Sequence, residues 1–236
     1  VFIGNTYSHV SWEYVAIGGG GYVTGRVILP KVPDLMYIRT DVGGCYRWNP
    51  ENGKWIPLSD WIDYPKRALL HIDGIALDPN NADVVYISCG DGGGPVFFDK
   101  VFDMMKSTDR GETWTSTGLK LDFFGDKDQR WYGEPIAVDP ENSDVIVVGS
   151  RNQGLFRTKD GCKSWQKAGS VPNGAKDIGI RCVLYDSTSH LIKGRTSIVY
   201  AGVWDSGGYQ SKDGGESFLL IEGSPAQPRR MAITTS

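Results

Sequence analysis

The chain has 236 residues, of which 31 are glycine, and 40% of its residues are hydrophobic. That apolar content can build a core, which excludes a disordered chain. The 25 Lys and Arg residues are balanced by 28 Asp and Glu residues and form no basic cluster, so a nucleic-acid partner is not expected. No apolar run approaches the roughly 20 residues of a membrane helix, so no membrane partner is expected either. Abundant glycine with 11% aromatic residues predicts an all-β chain with many tight turns.

A turn segment repeats along the chain. Its pattern is [S/T]-x-D-x-G-x-[S/T]-[W/F], with copies at 107–114, 158–165 and 211–218 and a degenerate copy ending at Trp55. The Asp can accept backbone N–H bonds and the glycine can supply positive φ, which is the chemistry of a tight turn. This segment resembles the Asp-box of several propeller families. We therefore expect Asp109, Asp160 and Asp213 to be structural.

A second motif keeps step with the first and defines the repeat unit. Apolar runs at 74–79, 135–140 and 181–186 lead to further apolar runs at 83–88, 144–149 and 197–202. Each unit of roughly 50 residues then holds four short strands, the content of a β-propeller blade. The predicted fold is an incomplete β-propeller. Its predicted blades are residues 14–60, 68–118, 130–170 and 178–223, with another starting near residue 229.

One position in the loop between the second and third strands differs in every unit. Aligning the units places Asp41, Gly90, Arg151 and Trp204 in the same column. A variable polar and aromatic column at one mouth indicates a binding surface. Gly43 and Gly44 would let a ligand approach closely. Trp131 and Tyr132 add flat aromatic faces that suit sugar rings, and Asp60 and Asp91 stay open as further binding carboxylates.

Metal and cofactor chemistry finds no support in the sequence. Cys45, Cys89, Cys162 and Cys182 lack C-x-x-C spacing, so buried or free thiols are favoured, with one disulfide left open. The three histidines are scattered and receive no catalytic role. No metal and no cofactor are expected.

Residues 17–25 and 37–48 resemble glycoside hydrolase family 74, the xyloglucanases. The R-T-D-x-G-G segment around Asp41 carries the most specific part of the likeness, and residues 133–140 continue it. The resemblance implies two seven-bladed propellers with a substrate cleft between them and inversion by one Asp from each. It implies that Asp41 is the general base and that the general acid lies on a second propeller outside this chain. It also implies a secreted protein, a polysaccharide or oligosaccharide substrate and an inactive isolated chain.

Some segments depart from the family pattern, and two other protein classes compete with it. Cys45 replaces a smaller residue, and residues 60–73 and 91–103 match poorly, which leaves the preferred glucan and the endo or exo mode open. A non-catalytic Asp-box propeller, such as a sorting-receptor ectodomain or an assembly factor, would not need Asp41. A sialidase would need an Arg-Ile-Pro segment, which does not precede the first intact repeat.

Overall fold

Four antiparallel sheets of four strands follow one another in the computed structural model, which describes residues 16–91 and 101–233. The first sheet contains β1 (Val23–Ile28), β2 (Met36–Thr40), β3 (Cys45–Asn49) and β4 (Lys54–Pro57). A 3-10 helix, Tyr64–Leu70, leads into the second sheet. That sheet contains β5 (Ile72–Asp78), β6 (Asn81–Asp91), β7 (Val101–Ser107) and β8 (Thr115–Ser116).

The remaining two sheets repeat this order. The third contains β9 (Ile136–Asp139), β10 (Asn142–Gly149), β11 (Leu155–Thr158) and β12 (Gln166–Lys167). In the fourth, a small hairpin of β14 (Leu191–Ile192) and β15 (Arg195–Thr196) interrupts the connection between the first two strands. The sheet itself contains β13 (Ile180–Tyr185), β16 (Val199–Val203), β17 (Gly207–Ser211) and β18 (Leu219–Leu220).

The sheets pack face to face around their first strands. Strand β1 contacts β5, β5 contacts β9, and β9 contacts β13. Three apolar clusters fill the spaces between successive sheets. Residues of β6 and β10 contribute to the clusters on both sides of their sheets, so both faces of these strands are buried. This burial explains why the second strands read as continuous apolar runs in the sequence. The prediction of an all-β propeller of four-stranded sheets is confirmed.

The sheets span residues 23–57, 72–116, 136–167 and 180–220, and each lies inside one predicted blade. Residues 14 and 15 of the first predicted blade lie outside the described residues. Near the predicted fifth blade, the carbonyl of Arg229 accepts a bond of 2.9 Å from the N–H of Gly133, and no strand follows β18 in the described range. The fifth blade and the total blade number stay predictions. No helix among the described residues has the length and apolar character needed to cross a membrane.

The three repeated turns join the third and fourth strands and have the same hydrogen bonding. In the first, Asp109 Oδ1 accepts bonds from the hydroxyl of Ser107 at 2.7 Å and the N–H of Thr113 at 2.9 Å. Asp160 and Asp213 repeat both contacts within their own copies. The two residues after each Asp have positive φ, and at least one of them is glycine, as this backbone conformation favours. These carboxylates are committed to their own turns.

Candidate functional site

The turn that follows β2 places Asp41 at the end of the first sheet. The N–H and the hydroxyl of Thr40 both donate to the carbonyl of Gly44 at 2.9 Å, which closes a tight turn around Asp41. In the third sheet, Ser150 donates in the same way to Gly154. Asp41 and Arg151 therefore occupy equivalent positions, as the repeat alignment predicts.

Asp41 is held by donors from two other parts of the chain. Its Oδ1 accepts the backbone N–H of Tyr22 at 2.7 Å, and its Oδ2 accepts Nε–H of Arg130 at 3.1 Å. The Asp41 side chain is 8% exposed, while the Tyr22 residue is 61% exposed beside it. A carboxylate with one donor on each oxygen has a fixed orientation and keeps lone pairs for a further proton donor. Asp41 is thus an oriented carboxylate at the edge of solvent.

A second ion pair runs beside the first. Arg39, two residues before Asp41, is fully buried, and its Nε binds the Glu134 carboxylate at 2.9 and 3.0 Å. Its Nη1 donates to the carbonyl of Arg130 at 3.0 Å and to the hydroxyl of Thr24 at 2.7 Å. Residues 39–41 and 130–134 are therefore joined by two charge pairs, Arg39 with Glu134 and Asp41 with Arg130. Burial raises the pKa of Glu134, and the charge of Arg39 partly offsets that rise.

The two glycines after Asp41 make room for the protein's own atoms. A Cβ on Gly43 would overlap the carbonyl oxygen of Gly20, and one on Gly44 would overlap the hydroxyl of Ser59. Gly44 also has φ of +83°, a conformation that favours glycine. The expected role of both glycines in leaving space for a ligand is not favoured, because the space of their missing side chains is occupied by the protein's own atoms.

Arg151 is not at the surface. Its residue exposure is 0%, and its guanidinium binds Asp73 at 2.7 and 3.1 Å and the carbonyls of Asp128 and Asp177 at 2.9 and 3.0 Å. Arg181 donates to both carboxylate oxygens of Asp73 at 3.2 Å and shares Oδ1 with Arg151. Burial alone would raise the pKa of Asp73, but the charges of Arg151 and Arg181 outweigh burial and lower it. The predicted substrate contact of Arg151 is not favoured, because no part of its side chain reaches solvent.

The predicted aromatic residues divide into one exposed ring and two packed ones. Trp131 is 41% exposed. Tyr132 and Trp204 are both below 10% exposed and stack on each other with ring centroids 5.2 Å apart. Trp131 meets Tyr132 edge-on at 6.0 Å. The structure thus brings the predicted aromatics together, but only Trp131 offers much of its ring to a ligand.

Sequence reasoning missed the charged residues that surround Asp41. Arg130 lies 3.9 Å from Asp126 as well as beside Asp41. Burial raises the pKa of Asp126, His71 and Arg130 lower it, and Asp41 and Asp91 raise it further. Asp91 is buried near this group, whereas Asp60 is exposed. No sequence signal could have paired Arg130 with Asp41 and Glu134 with Arg39, because the two segments are far apart in the chain.

A metal-binding role is not indicated by the described residues. They contain no group of three His, Cys, Asp or Glu side chains that could hold a metal ion. All four cysteines are buried and free. The thiol pKa values of Cys45, Cys162 and Cys182 are raised to about 11, mainly by burial, so these groups are protonated near neutral pH. The disulfide that the sequence left open is absent.

Comparison with known proteins shows which enzymes the chain resembles. It is 35% identical to the xyloglucanase of Paenibacillus sp over 91% of its length. It is 36% identical to the oligoxyloglucan-reducing end-specific xyloglucanase of Emericella nidulans over 94% of its length. The crystal structure of the Niastella koreensis GH74 enzyme matches with a TM-score of 0.80 and 35% identity, over 93% of this chain. The chain is therefore similar in sequence and structure to GH74 xyloglucanases over nearly all of its length.

The match covers only part of each relative. The chain spans 22% of the Paenibacillus protein, 26% of the Emericella protein and 32% of the Niastella chain. No protein-family model matches the chain. The resemblance thus extends over nearly all of this chain but over only about a quarter of the curated relatives.

Proposed function

We propose that this chain is one portion of an enzyme that hydrolyses the β-1,4-glucan backbone of xyloglucan or a related plant polysaccharide. The single observation that carries the proposal is the Asp41 carboxylate, oriented by Tyr22 and Arg130 in the segment that resembles the GH74 enzymes most specifically. Xyloglucanase relatives that match along nine-tenths of the chain support the substrate class. Since that polymer lies outside plant cells, the protein is proposed to be secreted or exported.

Asp41 is proposed to act as the general base of an inverting reaction. In this chemistry a carboxylate removes a proton from water while a carboxylic acid protonates the leaving oxygen, with the two groups roughly 6.5–9.5 Å apart. Asp41 can accept the water proton because its oxygens keep free lone pairs beside their two donors. The general acid is proposed to lie on a second propeller of the same protein, so the isolated chain would lack hydrolytic activity.

The sugar is proposed to rest beside Asp41 on exposed surface. Trp131 supports this role because its ring is 41% exposed and Arg130, its chain neighbour, binds Asp41. An indole face suits the apolar face of a pyranose ring. Tyr132 and Trp204 would then act from beneath, as packing that holds Trp131 in place. Gly43 and Gly44 would shape the turn that carries Asp41 rather than contact sugar.

The test is the hydrolysis of xyloglucan by the full-length protein and its Asp41→Asn variant. Removing a general base is expected to lower kcat by roughly 100- to 10,000-fold. Asp34→Asn is the matched control, because Asp34 is exposed with φ of 60°, a conformation that Asn tolerates. A non-catalytic Asp-box propeller is the competing function. It would be favoured if the wild-type protein bound glucan without cleaving it.

A further inference from the structure

Asp41 depends on a residue that is remote in sequence. Among the described residues, Arg130 is the side chain that donates a hydrogen bond to Asp41, and it lies 89 positions further along the chain. The other donor, Tyr22, uses its backbone N–H, which any residue except proline would supply. Arg130 is therefore the donor to Asp41 that a substitution can remove.

Arg130 is itself held by the packed interior. Its carbonyl accepts a bond of 3.0 Å from the buried guanidinium of Arg39, which is anchored on Glu134. Its own Nη1 donates to the carbonyl of Lys127 at 3.4 Å. The Arg130 side chain is 22% exposed, so solvent screens this pair less than a fully exposed one. Backbone and side chain are both fixed, which distinguishes Arg130 from a mobile surface arginine.

The charges around the pair favour an arginine at this place. Asp41 and Asp91 both raise the pKa of Asp126, and His71 and Arg130 both lower it. Arg130 lies between Asp41 and Asp126, at 3.1 and 3.9 Å. A cation at this place reduces the repulsion between the two carboxylates.

We propose that Arg130 is a positioning residue that orients the Asp41 carboxylate for proton abstraction from water. The inference rests on the proposed role of Asp41 as general base. It assigns Arg130 no contact with the substrate. Arg130 fixes Oδ2 through its Nε–H, Tyr22 fixes Oδ1, and the plane of the carboxylate is thereby set relative to the approaching water. A shift of about 1 Å in such a group can reduce the rate roughly 100-fold.

The experiment compares kcat and KM of the full-length protein on xyloglucan for Arg130→Gln and Arg130→Lys. Arg130→Gln is expected to lower kcat by roughly 10- to 100-fold, because the Asp41 carboxylate loses its side-chain donor. The Arg130 guanidinium also lies 5.4 Å from the centroid of the Trp131 ring but does not itself contact the sugar, so KM should change less than about threefold. Arg130→Lys keeps the charge without the guanidinium fork and should recover part of kcat. Arg110→Gln is the matched control, since Arg110 pairs with Asp83 in a repeated turn, and should leave both constants unchanged.

The outcomes separate this inference from the function on which it rests. If Asp41→Asn keeps wild-type activity, the proposed function fails. If Asp41→Asn is inactive while Arg130→Gln keeps kcat within about twofold of wild type, the positioning role alone fails. A rise in KM at constant kcat would also overturn that role, because it would place Arg130 in substrate binding. If Arg130→Gln does not fold, Arg130→Lys decides, and wild-type kcat in that variant overturns the inference.

Discussion

Arg39 Nε lies 2.9 and 3.0 Å from the two carboxylate oxygens of Glu134, a residue 95 positions away in the sequence. Glu134 Oε2 also accepts the backbone N–H of Ile75 at 2.9 Å, so one carboxylate joins the first sheet, the second sheet and the segment before the third. Gly25 makes this contact possible, since a Cβ there would overlap Glu134 and crowd the Arg39 guanidinium. The pair therefore links neighbouring sheets and stabilises their packing.

Replacing Glu134 by Gln is expected to destabilise the chain. The substitution leaves the fully buried charge of Arg39 without its counterion, which costs about 3 kcal/mol in the free energy of unfolding. Urea denaturation measures the loss. Glu112→Gln is the control, because Glu112 pairs with Arg47 and its side chain is 59% exposed, and should cost less than about 1 kcal/mol. Equal losses of stability in the two variants would contradict this stabilising role of Glu134.

Arg151→Gln should reduce stability and leave substrate affinity alone. The variant leaves Asp73 with a single charged partner, Arg181, in a fully buried site. We expect a loss of about 3 kcal/mol by denaturation and an unchanged KM for xyloglucan in the folded fraction of the full-length protein. Arg110→Gln, at the exposed pair with Asp83, should cost less than about 1 kcal/mol. A raised KM with normal stability would return Arg151 to the binding surface.

The repeated turns should make the chain sensitive to acid. Hydrogen bonds from the Thr113 and Ser164 side chains lower the pKa of Asp109 and Asp160 to about 2. An unfolded Asp titrates near roughly 3.9. Because the folded pKa is the lower one, this stabilisation is present above about pH 4 and is lost as the pH falls towards 2.

The melting temperature between pH 5 and pH 2 tests that expectation. It should fall in the wild-type chain and fall less in Asp109→Asn/Asp160→Asn, which no longer titrates at either turn. The control is Asp34→Asn, an exposed site outside these turns, which should follow the wild-type curve. Parallel curves for the double variant and the wild type would show that other carboxylates govern acid unfolding.

Trp131 and Trp204 should separate binding from packing. Trp204→Ala removes a ring that is 7% exposed and stacks on Tyr132, so it should lower the free energy of unfolding by about 3 kcal/mol. Trp131→Ala should cost less stability and instead weaken the binding of xyloglucan oligosaccharides. Calorimetric titration of the full-length protein with those ligands checks the second part. Unchanged affinity in Trp131→Ala would remove that residue from the proposed sugar surface.

Local pattern was enough to predict the sheets, because each strand and turn depends on neighbouring residues. The spacing of Trp114 and Trp165 and the apolar runs before them fixed the order of strands within each unit. The repeat also placed Asp41 and Arg151 at equivalent positions. It could not show that Arg151 is neutralised by Asp73, which is 78 positions away, because an ion pair between repeats leaves no local signal in the sequence.

The charge pairs at the candidate site were beyond reach for the same reason. Arg130 and Asp41 lie on different units, and nothing in either segment shows that the two meet. The glycines show the same limit. Nothing in the sequence shows that the backbone of Gly20 occupies the space beside Gly43. The sequence predicts the residues that one repeat contributes to such a site, but the contacts between repeats are visible only in the structure.

The central group of Asp73, Arg151 and Arg181 limits how this chain can be recombined. Its members come from the second, third and fourth sheets, and one carboxylate balances two guanidinium groups. A chimera that exchanged the second repeat alone for one without this Asp would bury two cations together. The Asp73 group alone therefore requires the second, third and fourth repeats to be transplanted together, and the Arg39–Glu134 pair adds the first, although the hydrogen bonding of each sheet is complete within one repeat.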